Sequence, residues 1–425
     1  MKIKVIEKRY SEVMALPTPK HRKPKRIGWF FRILIKVLSF LNLRKYHIRY
    51  EERGMERLQK KEPCLVLMNH SGFIDMQIAA NYLFPRPFST VCTTDAYVGL
   101  AWLLRQIGCI PTHKFVADLT LLRDITYALK ELKSTVLMYP EACYSYDGTA
   151  SLLPDSLGQF VKRQGVPVVT VITKGAFSRE PLYNMLQHRK VDVSAEVTYL
   201  LSPDELKTMS AEEINRRIRE KFSFDSFRWQ QENHIAITES FRAEGLERVL
   251  YQCPHCMAEG RTKGQGILLT CEGCGRTYEL TEYGALRSTD GDGAFTHVPD
   301  WFAWEREQVE QEVRRGDYRL DLDVDVYMMV DYKALYHIGE GHLTHGEEGF
   351  HLTGEEGLDY RQSALASYSI NADYYFYEIG DMISIGNQRH LFYCFPKGTE
   401  AIVIKTKLAA EALYRLKRDE SRKTK

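Results

Sequence analysis

Three short apolar runs, residues 64–68, 135–139 and 168–173, constrain this chain more than any other feature. Runs so brief and so rich in β-branched residues suit strands covered on both faces, which is the setting of a parallel sheet. Between the first two, Asp118 is placed to cap a helix in which Leu122, Ile125, Leu129 and Leu132 recur at helical spacing as far as Lys133. Strand and helix in this alternation predict an α/β fold, a mostly parallel sheet flanked by helices, with ligands beyond the C-terminal ends of the strands.

Residues with chemical capacity follow the first run directly, as Asn69-His70-Ser71-Gly72-Phe73-Ile74-Asp75. On one continuous helix His70 and Asp75 would be rotated apart by about 140°. A turn at Ser71 and Gly72, with Ser71 capping a helix that begins near Phe73, would bring the carboxylate back toward the imidazole. A carboxylate on one ring nitrogen fixes the tautomer and lets the other nitrogen take a proton. The pair could then deprotonate a hydroxyl that attacks a thioester carbonyl, with no Ser or Cys nucleophile required. The plain alternative is a packed histidine and a helix-capping aspartate.

The order and spacing of these and later residues resemble the glycerolipid acyltransferases related to 1-acylglycerol-3-phosphate acyltransferase. That family's Asn-His-x-x-x-x-Asp block is matched by Asn69, His70 and Asp75. Its Phe-Pro-Glu-Gly-Thr-Arg-Ser block is met by Tyr139-Pro140-Glu141-Ala142-Cys143-Tyr144-Ser145, and its Val-Pro-rich strand by Val166-Pro167-Val168-Val169-Thr170-Val171. The resemblance covers residues 50–201. It implies an O-acyltransferase of phospholipid biosynthesis that moves a fatty acyl group from an acyl-CoA or acyl-carrier-protein thioester to the hydroxyl of a lysophospholipid or related glycerolipid. His70 would be the general base and Asp75 its orienter, with Asn69, Lys114 and Glu141 on the acceptor side; His113 is either a surface residue or a headgroup contact. Two departures stand out. The usual Gly-x-Ile-x-x-x-Arg block ends here in Lys114, a point charge in place of a bidentate fork, and the arginine of the third block is Tyr144. Cys143 lacks a neighbouring cation that would make it a nucleophile. The changed blocks also leave open a catalytically inactive, lipid-binding membrane adaptor on an acyltransferase scaffold.

Residues 19–49 hold ten Lys or Arg and no Asp or Glu, a field suited to anionic headgroups. Within them, residues 27–43 are apolar except for Arg32, Lys36, Ser39 and Asn42, which form one helical stripe. At roughly 26 Å such a helix is short of a bilayer core, and two mid-span cations disfavour crossing, so it is expected to lie in the interface. The first residues lack a cleavable secretory signal, which places the protein at the cytoplasmic face of the membrane, peripheral or monotopic.

Cys253 and Cys256 are followed after fourteen residues by Cys271 and Cys274. Two such knuckles offer four thiolates for a structural Zn2+, resembling a zinc ribbon with His255 as a spacer. A net charge of +2 and a ribbon that carries Glu259 and Glu272 beside Arg261 and Lys263 argue against nucleic acid as a partner. The expected organisation is a basic region with the interfacial helix at 1–49, the acyltransferase domain at 50–248, the ribbon at 249–288 and a linker with a short helix at 289–324. A mainly-β domain at 325–425 completes it, pleckstrin-homology-like in its short strands and one C-terminal helix.

Overall fold

The computed structural model describes residues 2–44, 47–398 and 402–423; Lys45 of the basic segment and Ala401 of the expected mainly-β domain lie outside them. The first strand, β1 (Val5–Glu7), pairs in parallel with residues 335–337 near the other end of the chain, and α1 (Tyr10–Met14) follows it with Val13 buried. Residues 1–49 are therefore not one region: the first part belongs to the C-terminal sheet.

The apolar helix is α2 (Trp29–Leu43). Its polar stripe faces the protein rather than water. Arg32 donates to the Pro85 carbonyl at 3.0 Å, Lys36 to the Asn81 carbonyl at 3.1 Å, and Asn42 Nδ2 to Gln77 Oε1 at 2.6 Å. The opposite face is apolar and open, with Phe30 68% and Leu38 60% exposed beside Trp29 and Leu41. Trp102, 70% exposed, extends this surface by packing against Phe31 with ring centroids 6.4 Å apart. Among the described residues no helix is long and apolar enough to cross a membrane.

Seven strands form the sheet that the apolar runs build: β2 (Arg49–Arg53), β3 (Leu65–Met68), β4 (Phe88–Thr93), β5 (Cys109–Thr112), β6 (Thr135–Met138), β7 (Val168–Lys174) and β8 (Ser194–Leu201), in the order β2-β8-β7-β3-β6-β4-β5. Every pairing is parallel except β7 with β8, so the sheet is mixed. The side-chain period of two splits β3 between layers. Val66 and Met68 pack with Ile78 of α3 (Ile74–Leu83), while Leu65 and Leu67 pack with Ile125 of the helix Leu119–Lys130 on the other face. Asp118 caps that helix by accepting from the Thr120 N–H at 2.7 Å. The helix ends at Lys130, short of the expected Lys133, which has φ +48°.

The four cysteines lie on a small antiparallel sheet of β9 (Thr262–Gln265), β10 (Leu268–Cys271), β11 (Thr277–Leu280) and β12 (Leu286–Ser288). Its Leu269, Tyr278 and Leu286 share a core with Trp301 of the helix Val298–Arg315. The C-terminal domain contains β13 (Leu320–Met329), β14 (Leu335–Gly346), β15 (Gly349–Gly354), β16 (Asp359–Gln362), β17 (Asn371–Phe376), β18 (Gly380–Gly386) and β19 (Leu391–Pro396). They follow the order β16-β15-β14-β13-β19-β18-β17, with the helix Ile402–Lys423 packed on them. Within this mainly-β domain residues 365–370 form a loop between β16 and β17, and 402–404 already belong to the C-terminal helix.

Candidate active site

Where β3 ends, the chain turns and enters α3, and the turn is closed by a side chain. Asp75 Oδ2 accepts the N–H groups of Ser71 at 2.6 Å and Gly72 at 3.0 Å, and faces His70 Nδ1 at 3.1 Å. Thr173 Oγ1, at the end of β7, donates to Asp75 Oδ1 at 3.3 Å. A carboxylate only accepts, so the proton of the His70 contact sits on Nδ1 and Nε2 keeps its lone pair. Ser71 does not cap the helix: Phe73 is the N-cap residue, and Ser71 Oγ accepts from Asn69 Nδ2 at 3.2 Å.

Asp75 is fully buried, whereas His70 keeps 21% of its side chain accessible. The imidazole lies between Tyr139, stacked at 4.0 Å between centroids, and Tyr144 at 4.2 Å. Burial holds the His70 pKa below the usual histidine value and outweighs Asp75, whose hydrogen bond and charge raise it; the Lys114 charge adds to the depression. A neutral, oriented imidazole with a free Nε2 is the protonation state that a base needs.

The other expected site residues divide into two groups. Asn69 works inside the scaffold, accepting from Thr173 N at 2.8 Å and donating to the Thr173 carbonyl at 3.2 Å, which ties the end of β3 to β7. Glu141 is 1% exposed and accepts the His70 N–H at 3.2 Å and the Ser151 N–H at 2.7 Å, so it braces the turn behind His70. Burial pushes its carboxyl up to about 8 against the pull of those two donors. Ala142 beside it holds φ +57°, where the family motif has glycine. Cys143 is buried and burial raises its thiol, which fits a packed side chain rather than a nucleophile.

His113 and Lys114, by contrast, line the cavity onto which His70 opens. The cavity is about 1290 Å3, larger than the roughly 300–1,000 Å3 of sites for drug-sized molecules, and it lies at the C-terminal ends of β4, β5 and β6. Burial lowers the His113 pKa. Sequence reasoning assigned no role here to Thr173 or to residues 373–378 of the C-terminal domain, which form the far wall. Lys114 Nζ stands 4.0 Å from Asp373 Oδ2 on that wall.

A sequence comparison bears on the part of the chain that holds this site. The sequence model of the family described as Acyltransferase matches residues 49–174, a span that contains His70, Asp75, Lys114 and Glu141. The chain carries an acyltransferase domain. This acyltransferase domain is similar to human 1-acyl-sn-glycerol-3-phosphate acyltransferase beta, 29% identical over 152 residues, which cover 34% of the present chain and 51% of that protein. The chain thus spans about half the length of that relative. The crystal structure of the 1-acyl-sn-glycerophosphate (LPA) acyltransferase PlsC from Thermotoga maritima aligns with a TM-score of 0.36 at 18% identity, over 45% of this chain and 76% of that one.

Outside the acyltransferase domain, the Sγ atoms of Cys253, Cys256, Cys271 and Cys274 all lie within 4.8 Å of one another, with the 253–274 and 256–271 pairs at 3.7 Å. Zinc–sulfur bonds of about 2.3 Å in a tetrahedron need sulfurs about 3.8 Å apart, so the donor set fits a closed thiolate site. His255 turns away to the Tyr278 hydroxyl at 2.9 Å.

Proposed function

We propose that the chain is a membrane-surface O-acyltransferase that moves a fatty acyl group from a coenzyme A or carrier-protein thioester to the hydroxyl of a lysophospholipid-like acceptor. The observation that carries this reading is His70, held at Nδ1 by buried Asp75 and facing the large cavity. Nε2 takes the proton of the acceptor hydroxyl as its oxygen attacks the thioester carbonyl carbon. When the C–S bond breaks, the imidazolium returns that proton to the leaving thiolate. Asp75 stabilises the imidazolium between the two steps. Asn69 and Glu141 position the turn, while Lys114 and His113 contact the acceptor head. The four cysteines hold a structural Zn2+ in a zinc ribbon, and the C-terminal domain is read as pleckstrin-homology-like.

Labelled acyl thioester offered with lysolipid acceptors to the purified chain tests this function: labelled diacyl product is the expected result, and its absence with every donor and acceptor pair counts against it. Because the His70 pKa is depressed, kcat/KM should be level above neutrality and fall on acidification, with a midpoint below about 6.5. A midpoint well above that value would assign the titration to another group.

The open apolar face of α2 and Trp102 is read as the membrane contact, and the basic residues before it as the attraction to an anionic leaflet of the cytoplasmic side. Burying two large apolar side chains is worth about 3–6 kcal/mol. Phe30→Glu together with Leu38→Glu should therefore weaken flotation with anionic vesicles by at least about 10²-fold. Unchanged flotation would place the contact elsewhere.

A further inference from the structure

The cavity beside His70 is lined by five acidic residues, Asp95, Asp118, Glu180, Asp373 and Glu378, but by only one Lys or Arg among the described residues, Lys114. That ammonium already faces a carboxylate from another domain. Asp373 belongs to β17, its side chain is 14% exposed, and its Oδ1 is fixed by the Tyr374 N–H at 2.9 Å while Oδ2 stands 4.0 Å from Lys114. Tyr144, lying on the imidazole, adds a ring and no charge. A second carboxylate, Asp95, accepts from the Tyr377 hydroxyl at 2.8 Å. Of the other four acids, Glu180 is paired with Arg179 at 3.1 Å and Glu378 with Lys2 at 4.0 Å, so a phosphomonoester brought here would meet a cation that is already balanced together with the carboxylates of Asp95 and Asp118. An uncharged head meets none of this repulsion, and in a zwitterionic head the ammonium, which the aromatic rings favour, offsets that met by its phosphodiester.

We propose that the acceptor of this site is a hydroxyl-bearing lipid whose head carries no net negative charge, and that Asp373 sets this preference by neutralising Lys114. The inference rests on the acyl-transfer reading above and narrows its substrate class. It also gives the C-terminal domain a task, since the wall that selects the head is built from β17 and not from the acyltransferase domain.

Burial pushes the Asp373 carboxyl up to about 6, so the comparison belongs at about pH 8, where it is ionised. The full chain is supplied with labelled oleoyl-coenzyme A and, in matched mixed micelles, with monoacylglycerol, lysophosphatidylcholine or lysophosphatidic acid. The expected result is a kcat/KM for lysophosphatidic acid on the order of tenfold below that of the better of the other two, whose difference separates an uncharged from a zwitterionic head. Asp373→Asn should shift the ratio on the order of tenfold toward lysophosphatidic acid. Asp373→Ser serves the same purpose if the Asn variant melts early. Preference for lysophosphatidic acid by the parent, or a ratio that neither variant moves, would overturn the inference. Binding of the same three lipids to His70→Ala, read by tryptophan fluorescence, needs no turnover. Tighter binding of lysophosphatidic acid there overturns the inference on its own, whereas absence of any transfer overturns the acyltransferase reading.

Discussion

Replacing His70 with alanine is expected to lower kcat/KM for acyl transfer by about 10²- to 10⁴-fold, the range that a positioned base supplies. Melting temperature and vesicle binding should change little, because the imidazole lines the cavity and is not part of the exposed apolar face of α2. Asp75→Asn should cost on the order of 10²-fold or more for a different reason. An amide in place of the carboxylate still accepts the Ser71 and Gly72 N–H groups through its oxygen. That oxygen, at the place of Oδ2, also keeps the Nδ1–H contact and leaves the NH2 facing Thr173 Oγ1, so fold and tautomer stay while the negative charge that stabilises the imidazolium is lost. Steady-state assays on both variants check this, and parental rates in both would remove His70 from the reaction.

The second large effect concerns stability. The purified chain should contain about one equivalent of zinc, and Cys253→Ser should abolish it. Structural zinc sites contribute folding free energy outright, and loss of even about 3–5 kcal/mol of it should lower the melting temperature by roughly 10 °C. The effect should spread beyond the ribbon, because Leu269 and Tyr278 share a core with Trp301, and Glu259 of the first knuckle pairs with Lys405 of the C-terminal helix at 2.7 Å. Elemental analysis and calorimetry measure both. A zinc-free chain that melts at the parental temperature would show that the thiols merely pack together.

Much of the site was legible because it is local. Residues 64–68 fill both faces of a sheet and so had to be apolar throughout, and the five-residue step from His70 to Asp75 forced a turn whatever surrounded it. The features that escaped depend on partners distant in sequence. β8 alternates buried and half-buried residues, the pattern of a strand covered on one side, yet nothing in it says that it runs against β7. Glycine and histidine dilute the β-branched signal through β14 and β15. Gly341 shows why they are there, since a Cβ at that position would sit 2.7 Å from the Thr353 carbonyl oxygen of the next strand. The helical period of α2 marks a polar stripe but not the side on which the protein lies; Gln77, Asn81 and Pro85 decide that. Asp373 is one acid among many until β17 brings it to Lys114.

The account depends on the proton being on Nδ1 of His70 and absent from Nε2 near neutral pH. Nitrogen-15 NMR of histidine-labelled protein, with His70→Ala to assign the signal, measures this directly. The prediction is an Nδ1–H tautomer at pH 7 that becomes imidazolium with a midpoint below about 6.5; an Nε2–H tautomer, or a ring still charged at pH 7, would contradict it.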